Sequence, residues 1–265
     1  MSIPIYQVDA FAERPFTGNP ACVCLMQAEM PDDWMQNLAA EMNLSETAFV
    51  WKRNDQFKIR WFTPAAEVDL CGHATLAASH VLWEAGWSSK DTDVVFDSKS
   101  GHLSASRKGK LIVLDFPANP PTEVEAPAGL LQSLGVENKV IYIGSDDTDF
   151  IIEVDSEFTV RSLTPDFARL KHTTARGIIV TSQSDSQQYD FVSRFFGPAV
   201  GIDEDPVTGS AHTTMAPYWS RKLGRTEMKA FQASERGGSI CIKIRENRVL
   251  LGGMATTIFR GELLI

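Results

Sequence analysis

An internal repeat constrains the fold of this chain of 265 residues more than any other feature. A string of aromatic, arginine and proline residues returns 134 positions later, and a glycine at the start of a small-residue segment returns 137 positions later. The matched segments are Phe57 to Ala65 with Phe191 to Ala199, Val68-Asp69 with Ile202-Asp203, and Gly72-His73-Ala74 with Gly209-Ser210-Ala211. One repeat that fills half a chain indicates duplication of a domain, and a solenoid of short units is excluded. We therefore expect two halves of one fold.

A stretch without periodicity separates the two halves. It runs from Phe116 to Thr122 and contains three prolines, which is typical of a linker. We predict an N-terminal half at residues 1–116, completed by the C-terminal strand at 255–265, and a C-terminal half at residues 117–254.

Periodicity predicts the elements of each half. In each copy of the repeat, strands, a proline corner and a small-residue helix follow one another in that order. Predicted strands cover 3–11, 21–26, 45–51, 57–62, 94–96, 111–116, 140–143, 150–154, 177–181 and 189–196. Predicted helices begin at Pro31, Gly72, Ala128 and Thr164.

Composition excludes several classes of function. The chain has 25 basic and 34 acidic residues, a net charge of −9, and no cluster of basic residues, so a nucleic acid is not an expected partner. No segment approaches the roughly 18 apolar residues of a membrane helix, and the N-terminus lacks the pattern of a signal peptide. We expect a cytoplasmic protein that does not contact a membrane.

Both copies of the repeat place a glycine where an extended corner turns into a helix, at Gly72 and Gly209. The first turn of a helix offers unpaired N–H groups and a partial positive charge, which suit a carboxylate. Two such helix starts related by pseudo-symmetry predict a shared cleft between the halves as the ligand site. The alternative is that each glycine only allows close packing of helix on sheet.

Polar residues cluster around these helix starts. Asp205 lies just ahead of the second one, and Pro206 keeps it out of the helical region. His73 and Ser210 occupy first-turn positions, where their side chains can reach a ligand. The alternatives are a helix cap for Asp205, a hydroxyl bonded to the backbone for Ser210, and a satisfied core histidine for His73.

Glu46 is the candidate acid/base. It lies between a predicted helix and an apolar strand, and a glutamate at the start of a central strand suits proton transfer, whereas a solvated one at an edge does not. The sequence lacks the common dinucleotide, phosphate-loop and metalloprotease motifs, and its histidines and cysteines show no zinc spacing. We therefore expect chemistry without a cofactor or a metal.

The combination of motifs supports a family resemblance that runs from Tyr6 to the C-terminus, and Asp-Pro-Val-Thr-Gly-Ser-Ala-His at 205–212 is close to diagnostic of it. The motifs are Asp9-Ala10-Phe11, Phe16 to Ala21, Ser45 to Phe49, Arg60 to Pro64, Glu67 to Thr75, Glu204 to His212 and Gly252-Gly253. With them the chain resembles the PhzF-like (phenazine biosynthesis-like) family.

The resemblance implies an α/β fold like that of diaminopimelate epimerase, with two pseudo-symmetric halves, each a curved, mostly antiparallel sheet wrapped around a central helix. It implies a homodimer and a cofactor-independent isomerase, since the type enzyme acts on trans-2,3-dihydro-3-hydroxyanthranilate through a glutamate. Glu46 matches that glutamate, and His73, Asp205 and Ser210 match residues that bind substrate and help to move protons. The residues implied to bind a carboxylate-bearing substrate are Asn19, Gly72, Ala74, Gly209 and Ala211.

The chain departs from related epimerases in the number of thiols at the helix starts. Related epimerases use two cysteines, one in each half, whereas this chain has Cys71 before Gly72 and Thr208 before Gly209. The alternatives to a Glu46 isomerase are an amino-acid racemase or epimerase that uses Cys71, and a catalytically silent protein that binds a small metabolite.

Overall fold

A computed structural model describes residues 2–54, 56–173 and 175–264. The chain divides into two compact units, Met1–Phe116 with Leu251–Ile265 (the first unit) and Pro117–Leu250 (the second unit). The sequence placed the second boundary after residue 254, whereas the structure has it after Leu250. The physical reason is that the backbone of Gly253 packs against the side chains of Phe11 and Leu76 of the first unit.

The described residues form mainly strands. In chain order they are β1 (Ile3–Ala10), β2 (Asn19–Met26), β3 (Glu46–Arg53), β4 (Gln56–Phe62), β5 (Glu67–Val68), β6 (Val94–Ser98), β7 (Gly101–Lys108), β8 (Leu111–Pro117), β9 (Thr122–Glu123), β10 (Val140–Ser145), β11 (Asp149–Val154), β12 (Gly177–Gln183), β13 (Phe191–Gly197), β14 (Ile202–Asp205), β15 (Glu227–Gln232), β16 (Gly238–Arg245), β17 (Arg248–Gly253) and β18 (Ala255–Leu263). The helices are α1 (Asp32–Met42), α2 (Gly72–Glu84), α3 (Leu130–Leu134), α4 (Glu157–Ser162), α5 (Phe167–Leu170) and α6 (Gly209–Leu223).

The two units pair their strands in the same order. In the first unit β18, β1 and β2 are antiparallel neighbours, β3 joins β2 in parallel, β4 is antiparallel to β3, β6 joins β4 in parallel, and β7 is antiparallel to β6. In the second unit β9, β10, β11, β12, β13, β15 and β16 repeat that series of antiparallel and parallel pairs step by step. The repeat in the sequence is therefore a repeat of topology.

A helix of small residues packs on each sheet. In α2 every residue except His80 and Glu84 is buried, and the helix contacts β1, β2, β3 and β18. Its run of alanine, threonine and serine suits a helix that is enclosed on all sides, because short side chains let sheet and helix backbones approach. In the second unit α6 contacts β11 and β16. The predicted α/β class, with mostly antiparallel sheets and a central helix in each half, is confirmed.

An arginine–glutamate pair braces the same corner in each unit. Nε and Nη2 of Arg60 donate to the Glu67 carboxylate at 2.6 and 2.8 Å. The same atoms of Arg194 donate to the Glu204 carboxylate at 2.7 and 2.8 Å. These paired hydrogen bonds join β4 to β5 and β13 to β14, so they hold the corner that precedes each helix.

The sequence analysis did not predict α4 or the strands β5, β7, β9, β14, β15, β16 and β17. The strand β7 alternates buried and exposed residues only weakly, with Leu103 and Ala105 its two buried side chains. The helix α4 is a single short segment capped by Ser156, whose hydroxyl accepts a hydrogen bond from the Thr159 backbone N–H. Among the helices of the described residues, none has the length and apolar character needed to cross a membrane.

Candidate active site

A glutamate and a histidine meet in the first unit. Glu46 is the first residue of β3, and His73 is the second residue of α2. Nε2 of His73 lies 3.0 Å from Oε2 of Glu46, and the two side chains are 5% and 12% exposed. The contact depends on the parallel pairing of β3 with β2 and on the proline corner that starts α2, so residues 27 apart in the chain come together.

Two further side chains hold the ring of His73. The amide Nδ2 of Asn19, a fully buried residue at the start of β2, lies 3.1 Å from Nδ1 of the ring. The sulfur of Cys71 lies 3.6 Å from the same nitrogen. Because Asn19 is enclosed, it acts on the ring of His73 and offers no exposed surface to a ligand.

The charges of this cluster favour a protonated histidine and a neutral thiol. Burial disfavours the charged ring, but the contact with the Cys71 sulfur and the negative charge and contact of the Glu46 carboxylate outweigh burial and raise the pKa of His73 well above its ordinary value. Burial, together with the Glu46 carboxylate, raises the pKa of the Cys71 thiol. The thiol therefore keeps its proton at neutral pH and is not available to accept another one.

The same three side chains could hold a metal ion. The ligand atoms of Glu46, Cys71 and His73 all lie within 4.8 Å of one another. A carboxylate, a thiolate and an imidazole form a donor set that suits zinc. Residue spacing could not reveal this group, because Glu46 comes from a different element of the fold.

The second unit encloses Asp205 in a network at the start of α6. Asp205 ends β14 and is 7% exposed, and its Oδ2 accepts a hydrogen bond from the Thr208 hydroxyl at 2.5 Å. The side chain of Gln232 accepts from the Thr208 backbone N–H and donates to the Asp205 carbonyl, each at 2.8 Å. The sequence analysis missed Gln232, because it predicted no strand at β15 and a glutamine carries no signal of this contact.

Ser210 is the second residue of α6, the position that His73 occupies in α2. Its hydroxyl oxygen accepts a hydrogen bond from Nη2 of Arg176 at 3.2 Å. Arg176 immediately precedes β12 and is held by Asp149. No motif in the sequence pointed to Arg176.

The helix starts themselves carry small residues. Gly72 and Gly209 are the first residues of α2 and α6, and both are buried. Neither N-cap side chain accepts a hydrogen bond from its helix. The side chains of Ala74 and Ala211, two positions further on, are fully buried, so these alanines can offer a ligand only backbone groups.

His212 is a neutral core histidine. Its Nδ1 lies 2.8 Å from the Thr208 carbonyl oxygen, and burial lowers the pKa of His212 to about 4. At neutral pH the ring donates its Nδ1 hydrogen to that carbonyl and steadies the first turn of α6. The structure thus brings Glu46, His73 and Asn19 together in the first unit, and it gathers Asp205 and Ser210 at the start of α6.

Known proteins are similar to this chain over its whole length. The chain matches the family of phenazine biosynthesis-like proteins, PhzC-PhzF, over residues 8–261. It is 50% identical over 266 residues to an uncharacterized isomerase of Halalkalibacterium halodurans, with 100% of both chains covered. It is similar to the crystal structure of a PhzF-family phenazine biosynthesis protein from Enterococcus faecalis, with a TM-score of 0.94, 43% identity and 100% of both chains covered.

A more distant likeness concerns the fold alone. A hydroxyproline epimerase from Agrobacterium vitis, solved with bound trans-4-hydroxy-L-proline, superposes with a TM-score of 0.63 at 10% identity. The match covers 99% of this chain and 92% of that one.

Proposed function

Because this chain belongs to the PhzC-PhzF family of phenazine biosynthesis-like proteins, and is accordingly an isomerase, we propose that it moves a proton on a small carboxylate-bearing substrate by acid/base catalysis at Glu46. One observation carries the proposal. Oε2 of Glu46 is buried 3.0 Å from Nε2 of His73, and it accepts no well-aligned hydrogen bond from the described residues. A buried carboxylate oxygen with an unused lone pair is suited to take a proton from carbon.

The reaction needs one proton and one base. The Glu46 carboxylate takes a proton from a carbon that is activated by conjugation or by an adjacent carboxylate, and the C–H electrons enter the conjugated system. Glu46 then returns the proton to another carbon, so substrate and product have the same composition. His73 acts as the charged neighbour that stabilises the carboxylate before and after the transfer.

The second unit contributes groups to the same reaction in this proposal. Asp205 is held by Thr208 and Gln232, and Ser210 presents a hydroxyl at the start of α6. We assign both residues to binding the substrate and moving protons, and we assign the backbone at Gly72 and Gly209 to its carboxylate. We assign Asn19 to holding the ring of His73, because the side chain of Asn19 contacts that ring.

The proposed chemistry runs without a metal or a cofactor. A metal at Glu46, Cys71 and His73 would have to displace the proton of a buried thiol whose pKa is raised by burial. Prolonged treatment with a chelator should therefore leave the rate unchanged, while a rate lost to the chelator and restored by added zinc would contradict this part of the proposal.

The decisive experiment follows the exchange of substrate hydrogens with D2O by NMR. The compounds are trans-2,3-dihydro-3-hydroxyanthranilate, the substrate of the family's type enzyme, and a panel of cyclic and amino carboxylic acids. Glu46→Gln should slow exchange by about 10²–10⁴-fold, the range of general acid/base catalysis. Unchanged exchange in Glu46→Gln refutes the proposal.

The matched control lies in the same unit. Glu84 also places its Oε2 3.0 Å from a histidine Nε2, that of His80. Because both residues lie in the last part of α2, away from its first turn, Glu84→Gln should exchange at the rate of the unmodified protein. Binding of a panel compound without exchange in the unmodified protein would favour the catalytically silent alternative.

A further inference from the structure

The strand register identifies the place in the second unit that corresponds to Glu46. In the first unit Ala21 of β2 pairs with Glu46 of β3, and Thr47 pairs with Phe62 of β4. In the second unit Asp149 of β11 pairs with Gly177 of β12, and Ile178 pairs with Phe196 of β13. Phe62 and Phe196 are themselves partners in the repeat, so the counterpart of Glu46 is Gly177.

Beside Gly177, the guanidinium of Arg176 takes the place that the carboxylate of Glu46 has in the first unit. Gly177 has no side chain to offer, and a Cβ at this position would collide with the ring of Phe195. The residue before it, Arg176, turns its Nη2 to the hydroxyl of Ser210 at 3.2 Å. Each unit therefore directs a charged side chain from the start of one strand to the second residue of its buried helix.

Arg176 is fixed by a buried partner. Its Nε donates to Oδ1 of Asp149 at 2.9 Å, and its Nη2 donates to Oδ2 of the same carboxylate. Asp149 is 1% exposed, whereas the side chain of Arg176 is 42% exposed. The guanidinium also lies over the ring of Phe195, with 5.8 Å from Cζ to the ring centre. One edge of the guanidinium is thus held rigidly by the protein.

The nitrogen Nη1 of Arg176 is available to a ligand. Nη1 of Arg176 makes no hydrogen bond with any residue in the described part of the chain. Arg194 shows the contrast, because its Nε and Nη2 bond Glu204 and its Nη1 donates to the Leu163 carbonyl at 2.8 Å. All three nitrogens of Arg194 therefore bond groups of the fold, while Arg176 keeps Nη1 for a ligand.

We infer that Arg176, together with the hydroxyl of Ser210, forms a binding site for a carboxylate of the substrate. Nη1 can donate to one carboxylate oxygen, and the Ser210 hydroxyl, which accepts from Nη2, can donate its own hydrogen to the other oxygen. The carboxylates of Asp149, Asp146 and Asp205 lie near the guanidinium, so short-range hydrogen bonds select the ligand more than net charge does. The inference rests on the proposed function only in taking this ligand to be part of the substrate.

The test compares two arginines in one unit by NMR of their side-chain Nε–H signals. The probes are benzoate and trans-4-hydroxy-L-proline, and the controls are the corresponding amides. Both carboxylates should shift the Arg176 signal until it saturates and leave the Arg194 signal in place, and the amides should shift neither. Absence of a saturable shift at Arg176 with both carboxylates overturns the inference.

Paired variants separate binding from folding. Arg176→Gln alone leaves Asp149 buried without its partner, so it is combined with Asp149→Asn, which keeps a neutral pair of similar size. The double variant should bind both carboxylates at least about tenfold more weakly, since a hydrogen bond between charged groups is lost. The double variant Arg194→Gln with Glu204→Gln should bind them as the unmodified protein does. Equal affinities for the two double variants would refute the site.

Hydrogen exchange by Glu46 and carboxylate binding by Arg176 are measured separately, so each can fail without the other. Glu46→Gln should bind the carboxylates normally and lose exchange. If Glu46→Gln keeps full exchange while Arg176 binds carboxylates, only the proposed acid/base role fails. If Glu46→Gln loses exchange while Arg176 shows no response, only the carboxylate site fails.

Discussion

In the first unit Cys71 precedes α2, which begins with Gly72 and His73. In the second unit Thr208 precedes α6, which begins with Gly209 and Ser210. The strands around both helices pair in the same order, and an arginine–glutamate pair braces the same corner in each unit. The scaffold has therefore been kept, while the side chains at the helix starts have diverged. The two helix starts therefore carry different polar groups, a histidine beside Glu46 in the first unit and a hydroxyl beside Arg176 in the second.

The fourth residue of each helix differs between the two units, yet it makes the same hydrogen bond to the carbonyl that precedes the helix. In α2 the hydroxyl of Thr75 donates to the Cys71 carbonyl at 2.5 Å. In α6 the ring of His212 donates to the Thr208 carbonyl from Nδ1 at 2.8 Å. Two unrelated side chains satisfy the same carbonyl, so the scaffold specifies a donor at this position and tolerates different residues.

Exchanging the second residue of the two helices tests the comparison most severely. His73→Ser should reduce hydrogen exchange by about 10²-fold or more, because Glu46 loses its charged neighbour. Ser210→His should have the smaller effect, about tenfold, because it disturbs binding and leaves Glu46 and His73 in place. The rates are measured in D2O beside the thermal unfolding midpoint. A larger loss in Ser210→His, at equal stability, would reverse the roles of the two units.

Acid should destabilise the second unit through His212. The pKa of this residue is about 4 in the fold and about 6.5 when unfolded, so the unfolded chain binds more protons between these values. Stability therefore falls as the pH is lowered from 7 toward 4, by about 3 kcal/mol from this residue. His212→Asn, whose amide can donate to the same carbonyl, should lose less stability over that range. Urea unfolding at several pH values measures the difference, and parallel curves for the two proteins would contradict it.

The sequence predicted much of this scaffold, since the repeat, the proline corners and the small-residue helices are local patterns. It also identified Glu46 and His73, but their contact depends on the register of β3 and the start of α2. Arg176 could not be found in this way, because its role arises from Asp149, 27 positions away, and from a glycine that replaces a charged residue. Charged side chains in loops carry no periodic signal, so their partners emerge only in three dimensions.

The two arginine–glutamate pairs that brace the corners, Arg60–Glu67 and Arg194–Glu204, should contribute similarly to the stability of the protein. Arg60→Gln and Arg194→Gln each break a pair of hydrogen bonds to a largely buried carboxylate, and each should lower the free energy of unfolding by about 2 kcal/mol. Each variant also removes an Nη1 donor, and Arg194→Gln should be slightly worse because its lost partner is the carbonyl of the buried Leu163, whereas that of Arg60 is the exposed Asp32 carboxylate. Urea titration at pH 7 measures both. A brace that costs nothing in one unit and several kcal/mol in the other would show that the two corners have diverged as well.

The smallest effect is expected at Cys71, where the second unit has Thr208. Burial raises the pKa of the Cys71 thiol, so the thiol holds its proton at neutral pH and is not available to accept one from the substrate. Cys71→Ser and Cys71→Thr should therefore change the exchange rate by less than about threefold, which is under 1 kcal/mol. A racemase or epimerase that depends on this thiol makes the opposite prediction, since both variants would then lose exchange at Cα. Measuring the two variants beside Glu46→Gln on one substrate separates the mechanisms, because the residue whose removal stops exchange identifies the base.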